Sequence, residues 1–171
     1  MRFVKAVPVL SAALLFSAIS ASAQVCTTTP SCGVSNTTSA TVGIVAQLTL
    51  SSTTTDLGTP TQADYIAGHK DVPGPTATVL ANTAWHVAVV GNTGTFSCTG
   101  AGCRATKPAS DLLWGTVSGT YGNNAGAGAT LFSGAGTTGS NQQSFFRTNW
   151  NLVTDTPGTY TLVVNYTLSE P

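Results

Sequence analysis

Apolar and polar residues alternate in the segment GTYTLVVNYTLSEP, residues 158–171. Successive side chains of a β-strand point to opposite faces, so the alternation predicts a half-buried strand. The residues on its apolar face are Tyr160, Leu162, Val164, Tyr166 and Leu168. The residues on its polar face are Thr161, Val163, Asn165, Thr167 and Ser169.

The same alternation occurs earlier in the chain. One apolar face consists of Val42, Ile44, Ala46, Leu48 and Leu50, and another consists of Trp85, Val87 and Val89. Further candidate strands are 76–81, 111–118, 129–133 and 143–153. Between the candidates stand clusters of Gly, Pro, Asn and Asp, which predict turns. These clusters are DVPGP, GNTG, YGNNAGAG and DTPG.

No stretch after residue 23 keeps a helical apolar period over three turns, and glycine is frequent where a helix would have to run. Short strands with one apolar face each must bury those faces against one another. The sequence therefore predicts an all-β fold, a single antiparallel β-sandwich of the immunoglobulin-like or Greek-key type with about seven to eight strands.

The N-terminus has the features of a secretory signal. Arg2 and Lys5 precede an apolar run over 6–19, and the small residues ASA at 21–23 provide a cleavage site. We therefore expect 1–23 to be a signal peptide and the protein to be secreted or on the cell surface of a bacterium. The run is too short to span a bilayer comfortably, so no transmembrane segment is expected in the mature chain.

The remaining chain divides into two parts. Residues 24–40 are rich in Thr and Ser without any period, which predicts an irregular lead-in, and 41–171 is predicted to be the β-sandwich domain. Removal of Arg2 and Lys5 leaves four of the six basic residues against six acidic ones. The remaining basic residues are outnumbered by acidic ones and provide no excess of positive charge to hold phosphates, so nucleic acid is not an expected partner.

The four cysteines predict two disulfides, because an exported protein meets an oxidising compartment. They are Cys26, Cys32, Cys98 and Cys103. The short spacings of CTTTPSC and CTGAGC favour two local bridges, and a crossed pairing that ties the N-terminus to the middle of the chain stays open. Neither spacing is C-x₂-C and no histidine lies beside either pair, so no metal site is expected.

Catalytic residues are scarce. His86 alternates with core positions and is predicted to point outward, and His69 lies in a predicted turn beside Asp64 and Asp71. No G-x-S-x-G elbow and no glutamate pair is present. GAGTTG at 134–139 matches a dinucleotide fingerprint, but strand-like alternation follows it, which favours a flexible connection. The sequence therefore predicts no enzymatic activity and no cofactor.

One predicted strand face carries groups that are suited to binding. Its residues are Phe145, Arg147, Asn149 and Asn151, opposite the apolar Phe146, Trp150 and Leu152. If the TDTPGT turn makes a hairpin, the partner strand adds Asn165 to this face. Such a surface suits a glycan or a neighbouring subunit, and an ordinary solvated sheet face is the alternative.

The last strand also resembles the distal motif of the bacterial WxL cell-wall domain, which runs Tyr, three residues, Leu-Thr-Trp, one residue, Leu, a short spacer and Pro. The matching positions are Tyr160, Val164, Asn165, Tyr166, Leu168 and Pro171. WHVAV, with Trp85 and Val87, is similar to the proximal Trp-x-Leu motif. The resemblance implies a β-sandwich that attaches non-covalently to peptidoglycan, although the alternation places most of these side chains in the core.

The chain also resembles a group of small secreted bacterial proteins that share W-x-V, a KPASDL-x-W segment (here 107–114) and the ending TDTPGTY. This resemblance implies no activity.

Together these features predict a non-enzymatic exported surface protein. It would associate with peptidoglycan, another envelope glycan or envelope proteins through its polar sheet face. A self-assembling subunit of a pilus, fimbria or extracellular filament is the alternative, although donor-strand exchange needs an N-terminal arm with alternating apolar residues. The lead-in offers only Val25 and Val34 for that purpose.

Overall fold

The computed structural model describes residues 35–170, and these residues are almost entirely β-structure. Residues 35–41 have no regular secondary structure and are exposed. The compact unit Val42–Pro171 contains ten strands and one short helix. The elements are β1 (Ala46–Leu50), α1 (Gln62–Ala67), β2 (His69–Ala81), β3 (Trp85–Gly91), β4 (Ser97–Thr99), β5 (Leu112–Gly115), β6 (Asn123–Asn124), β7 (Ala129–Gly134), β8 (Thr137–Asn149), β9 (Thr159–Thr161) and β10 (Val164–Ser169).

All strand pairings are antiparallel. The large sheet has the order β1-β2-β8-β5-β6, the small sheet has the order β10-β3-β7, and β4 and β9 form a separate two-stranded ribbon. Apolar side chains of the two sheets share one core, so the predicted all-β sandwich is confirmed. The structure has ten strands rather than seven or eight, because strands of two or three residues are too short to show alternation.

The strand β10 has the two faces that its alternation predicts. Val164, Tyr166 and Leu168 pack against the core, while Asn165 and Thr167 are exposed. β10 pairs along its whole length with β3, whose Trp85 and Val87 are buried. The WxL-like positions of both strands therefore face the interior, with the exception of Asn165. Those on β10 are only half-buried because β10 is an edge strand of the small sheet.

The DVPGP segment is not a turn, as its composition predicted, but part of β2. A bulge interrupts the β2–β8 ladder there, because Pro73 lies opposite Phe145 and Thr76 lies opposite Gln143. A proline has no N–H to donate to a ladder and is tolerated at such irregular positions.

The hairpin that was considered around TDTPGT does not form. β8 ends at Asn149 and belongs to the large sheet, whereas β10 belongs to the small sheet, so the chain crosses between sheets after Asn149. Leu152, predicted to be in the core, is therefore 73% exposed. A similar correction applies at the other end, where β1 starts only at Ala46 and leaves Ile44 exposed.

The helix α1 was not predicted from the sequence, because its six residues are too few to show a helical apolar period. Its first turn has a capping box, in which Thr61 accepts from the Asp64 backbone N–H and the Asp64 carboxylate accepts from the Thr61 N–H. Gly68 ends it in the left-handed conformation at φ 76°. No helix within residues 35–170 is long and apolar enough to cross a membrane.

Candidate functional site

A fork-shaped ion pair lies on the outer side of the large sheet. Asp71 of β2 and Arg147 of β8 are direct partners in the ladder. The Arg147 Nε donates to Asp71 Oδ1 at 2.7 Å, and its Nη2 donates to Oδ2 at 2.8 Å. The ring of Tyr121 lies 4.5 Å from the guanidinium carbon. Three residues from distant parts of the chain thus fix one another in a single geometry.

The fork also sets the charge of its members. The hydrogen bonds from Arg147 hold the pKa of Asp71 below its ordinary value, and those to Asp71 raise the pKa of Arg147. Both side chains therefore remain charged near neutrality. Their charges cancel, which leaves a locally neutral surface that still offers hydrogen-bond donors and acceptors.

Two other predicted binding residues share this surface. Phe145 and Asn149 are half-buried and alternate with the buried residues of β8. Phe145 lies opposite Pro73 of β2. We call the group Asp71, Tyr121, Phe145, Arg147 and Asn149 the Arg147 face. Sequence alternation found its β8 members, whereas Asp71 and Tyr121 join through strand pairing and loop packing.

The structure separates the remaining two predicted residues from this face. Asn165 lies on β10 in the small sheet, because the hairpin that would have placed it beside Arg147 does not form. Asn151 lies beyond the end of β8, where its Oδ1 accepts from the backbone N–H groups of Val153 and Thr154. Its side chain stabilises a turn.

A cluster of buried charges lies near the end of β8, and no sequence pattern predicted that these charges are buried. Lys107 is fully buried, and its Nζ donates to Asp111 Oδ2 at 3.0 Å and to Asp155 Oδ2 at 2.9 Å. The Lys107 Nζ also donates to the Asn149 carbonyl oxygen at 2.6 Å. The Trp150 ring lies 4.5 Å from the same nitrogen.

Asp155 is the second buried charge of the cluster, with a side chain that is 1% exposed. Its Oδ1 accepts from Arg104 Nη1 at 2.9 Å, and its Oδ2 also accepts from the Asn151 backbone N–H at 2.9 Å. Burial opposes ionisation of Asp155. The hydrogen bonds from Lys107, Asn151 and Arg104 outweigh it and lower the pKa of this carboxyl group.

Two segments of the chain meet in this cluster. Lys107 and Asp111 come from KPASDL, where a short 3₁₀ turn over Ala109–Asp111 places the carboxylate next to the ammonium. Asp155 comes from TDTPGTY. A cavity of about 420 Å³ adjoins the cluster and is lined by Arg104, Asp111, Asn149, Trp150, Asn151, Thr154 and Asp155. KPASDL and TDTPGTY were noted in the sequence only for their resemblance to a group of small secreted proteins. No periodic pattern predicted that they form a site.

An apolar cleft of about 320 Å³ opens between the two sheets beneath the loop that follows β1. Its apolar lining includes Leu50, Leu57, Leu112, Phe146, Leu162 and Val164. The cleft lies beside the edge strand β10 and contains no charged side chain among its lining residues.

The predicted local disulfide between Cys98 and Cys103 is present. The crossed pairing is thereby excluded, and Cys26 and Cys32 lie outside the described residues. Gly158 of the TDTPG segment packs on this bridge so closely that an added Cβ would meet the Cβ of Cys103. The disulfide loop thus contacts the segment that carries Asp155.

Two further motifs have ordinary structural roles. The GAGTTG segment contains the last residue of β7, the two-residue connection 135–136 and the first three residues of β8, so it continues into a strand rather than a helix. His86 is half-buried on β3, opposite Ser169 of β10. Within residues 35–170, no group of three or more His, Cys, Asp or Glu side chains is placed to hold a metal ion.

Comparison of the chain with protein-family models, curated proteins and solved structures finds no match.

Proposed function

We propose that this chain is a non-enzymatic bacterial surface protein, exported by its N-terminal segment, which binds peptidoglycan or another envelope glycan through the Arg147 face. The observation that supports this proposal is the fork between Asp71 and Arg147, held against Tyr121.

The chemistry of the face suits a sugar polymer. Sugar hydroxyls need donors and acceptors in fixed directions, and the fork supplies both while Asp71 occupies only part of the Arg147 N–H groups. Tyr121 and Phe145 add aromatic surface against which the C–H side of a sugar ring can pack. Since the charges of the fork cancel, the face suits an uncharged stretch of glycan better than a polyanion.

A pull-down on insoluble peptidoglycan tests the proposal. Arg147→Ala should lower the bound fraction roughly fivefold or more if this residue is a central contact. The matched control is Asn165→Ala, which removes an exposed polar side chain from the other sheet and should leave binding unchanged. Wild-type binding no stronger than that of an unrelated neutral β-sandwich would refute the wall-ligand proposal.

A second candidate function is self-assembly, and a separate observation favours it. Val42, Ile44 and Val45 are 83%, 69% and 53% exposed in the segment that precedes β1. The lead-in has few apolar residues that could form a donor strand, but this apolar segment directly follows the lead-in. A second copy's segment of this kind would pair with the free edge of β10 and fill the apolar cleft.

Electron microscopy and sedimentation of the secreted protein test this second candidate. Ile44→Asp should abolish filaments if the segment is the donor strand. Val117→Asp is the control, because Val117 is 61% exposed elsewhere on the domain. A wild-type protein that remains monomeric at high concentration would exclude self-assembly.

A further inference from the structure

The contact between Lys107 and Asp155 is unusual because both charged groups are removed from water. Lys107 is 0% exposed and the Asp155 side chain is 1% exposed, yet they are separated by 48 residues in sequence. Phe96 and Trp150 place aromatic rings 5.8 and 4.5 Å from the Lys107 nitrogen. Burying charged groups away from water costs free energy. An amide formed from the two groups would be uncharged.

We propose that Lys107 and Asp155 are joined by an intramolecular amide bond, which forms after folding with Asp111 as the proton carrier. Asp111 is suited to this role because its Oδ2 lies 3.0 Å from the Lys107 nitrogen and its side chain is 24% exposed. The folded structure supplies the reaction with proximity, since it holds amine and carboxyl groups in contact. This bond is independent of any glycan ligand.

The reaction is a condensation and needs no oxidant or reductant. Asp111 relays one proton from the Lys107 ammonium to Asp155 Oδ2, which yields a neutral amine and a neutral carboxyl group. The amine lone pair attacks Asp155 Cγ and forms the C–N bond. Asp111 then takes a second proton from this nitrogen and delivers it to Oδ2, and the Cγ–Oδ2 bond breaks as water departs.

Other residues of the cluster contact the two Asp155 oxygens that change during these steps. Arg104 Nη1 lies 2.9 Å from Asp155 Oδ1, the oxygen that bears negative charge in the tetrahedral intermediate and remains as the amide carbonyl. The Asn151 N–H contacts Oδ2, the oxygen that leaves. The adjoining cavity of about 420 Å³ borders Asp155 and provides the released water with an exit.

Mass spectrometry of the full chain, exported by its own N-terminal segment, tests the bond directly. After reduction, denaturation and trypsin digestion, residues 105–147 and 148–171 should appear as one linked species that is one water lighter than the sum of the two peptides. Fragmentation should place the link on Lys107 and Asp155. Two separate peptides of unchanged mass would overturn the proposal. This test uses only the wild-type protein, so it does not depend on whether a variant folds.

Variants then test the role of Asp111. Asp111→Asn keeps the side-chain size but cannot relay protons as a carboxylate, so the linked species should fall from nearly all of the protein to almost none. Asp56→Asn, which changes an exposed carboxylate in the loop after β1, should leave the link intact. A fully linked Asp111→Asn protein would refute the proton-carrier role. Circular dichroism shows whether each variant has folded.

Discussion

The hydroxyl oxygen of Tyr166 lies 2.9 Å from Ser144 Oγ, and this contact joins the small sheet to the large sheet. Ser144 Oγ also donates to the Pro75 carbonyl oxygen at 2.9 Å. Since a serine hydroxyl has a single proton, Tyr166 is the donor toward Ser144. Burial raises the pKa of Tyr166, so this donor keeps its proton. Tyr166 stands at the Trp position of the WxL-like motif, and here it ties the sandwich together.

Truncation of Tyr166 should therefore affect folding. Tyr166→Ala should lower the free energy of unfolding by about 2–4 kcal/mol, near the lower part of the range for large aromatics because the ring is half-buried. Tyr166→Phe should cost only about 1 kcal/mol, since Ser144 keeps its bond to Pro75. Urea denaturation measures both. An Ala variant of unchanged stability would show that Tyr166 lies on a binding surface instead.

The fork between Asp71 and Arg147 should give a small pH dependence of stability. The folded state lowers the pKa of Asp71, so the contribution is present above the pKa of the unfolded chain, about 4, and is lost as the pH falls through the lower folded value. The pair is partly exposed, so solvent screening limits the effect to roughly 1 kcal/mol or less.

Denaturation curves between neutral and acid pH check this prediction. The difference in unfolding free energy between wild type and Asp71→Asn should shrink as the pH falls below about 4. A difference that stays constant down to strongly acid pH would show that the fork contributes nothing to folding.

The close approach of Gly158 to the disulfide predicts a steric requirement. Gly158→Ala should destabilise the domain by about 1–3 kcal/mol, because the new methyl group would meet Cys103 Cβ and lie 3.1 Å from the Thr99 carbonyl oxygen. The cost should fall when Cys98 and Cys103 are both replaced by Ala, since the loop can then shift. A double-mutant cycle measures this coupling, and additive effects would contradict the steric explanation.

Loss of the disulfide itself should have a modest effect. The bridge closes a loop with a sequence separation of only 5, so it restricts the unfolded chain less than a long-range bridge does. Cys98→Ala with Cys103→Ala should cost about 1–3 kcal/mol in unfolding free energy. Comparing thermal unfolding of the oxidised wild type with that of the double variant gives the value. Complete unfolding of the variant would mean that the bridge holds more than its own loop.

The sequence by itself determined the class of the fold and the two faces of its longer strands. Side-chain direction along a strand depends only on position within that strand. Alternation therefore placed Val164 and Tyr166 on the face opposite Asn165. It likewise placed Phe145 and Arg147 on the face opposite Phe146. For the same reason, the β8 members of the candidate face were predictable. The bridge between Cys98 and Cys103 was also favoured by local spacing.

Tertiary structure decided which strands are neighbours and which charges are buried. Alternation cannot choose a partner for β8, so it could not decide whether β8 and β10 form a hairpin. The structure shows that they do not, and Asn165 lies on the other sheet. Nor can alternation show that Lys107, in a polar and turn-like segment, is completely buried. That burial requires Asp155, 48 residues away, to supply the opposite charge, and such a contact exists only once the two segments have packed together.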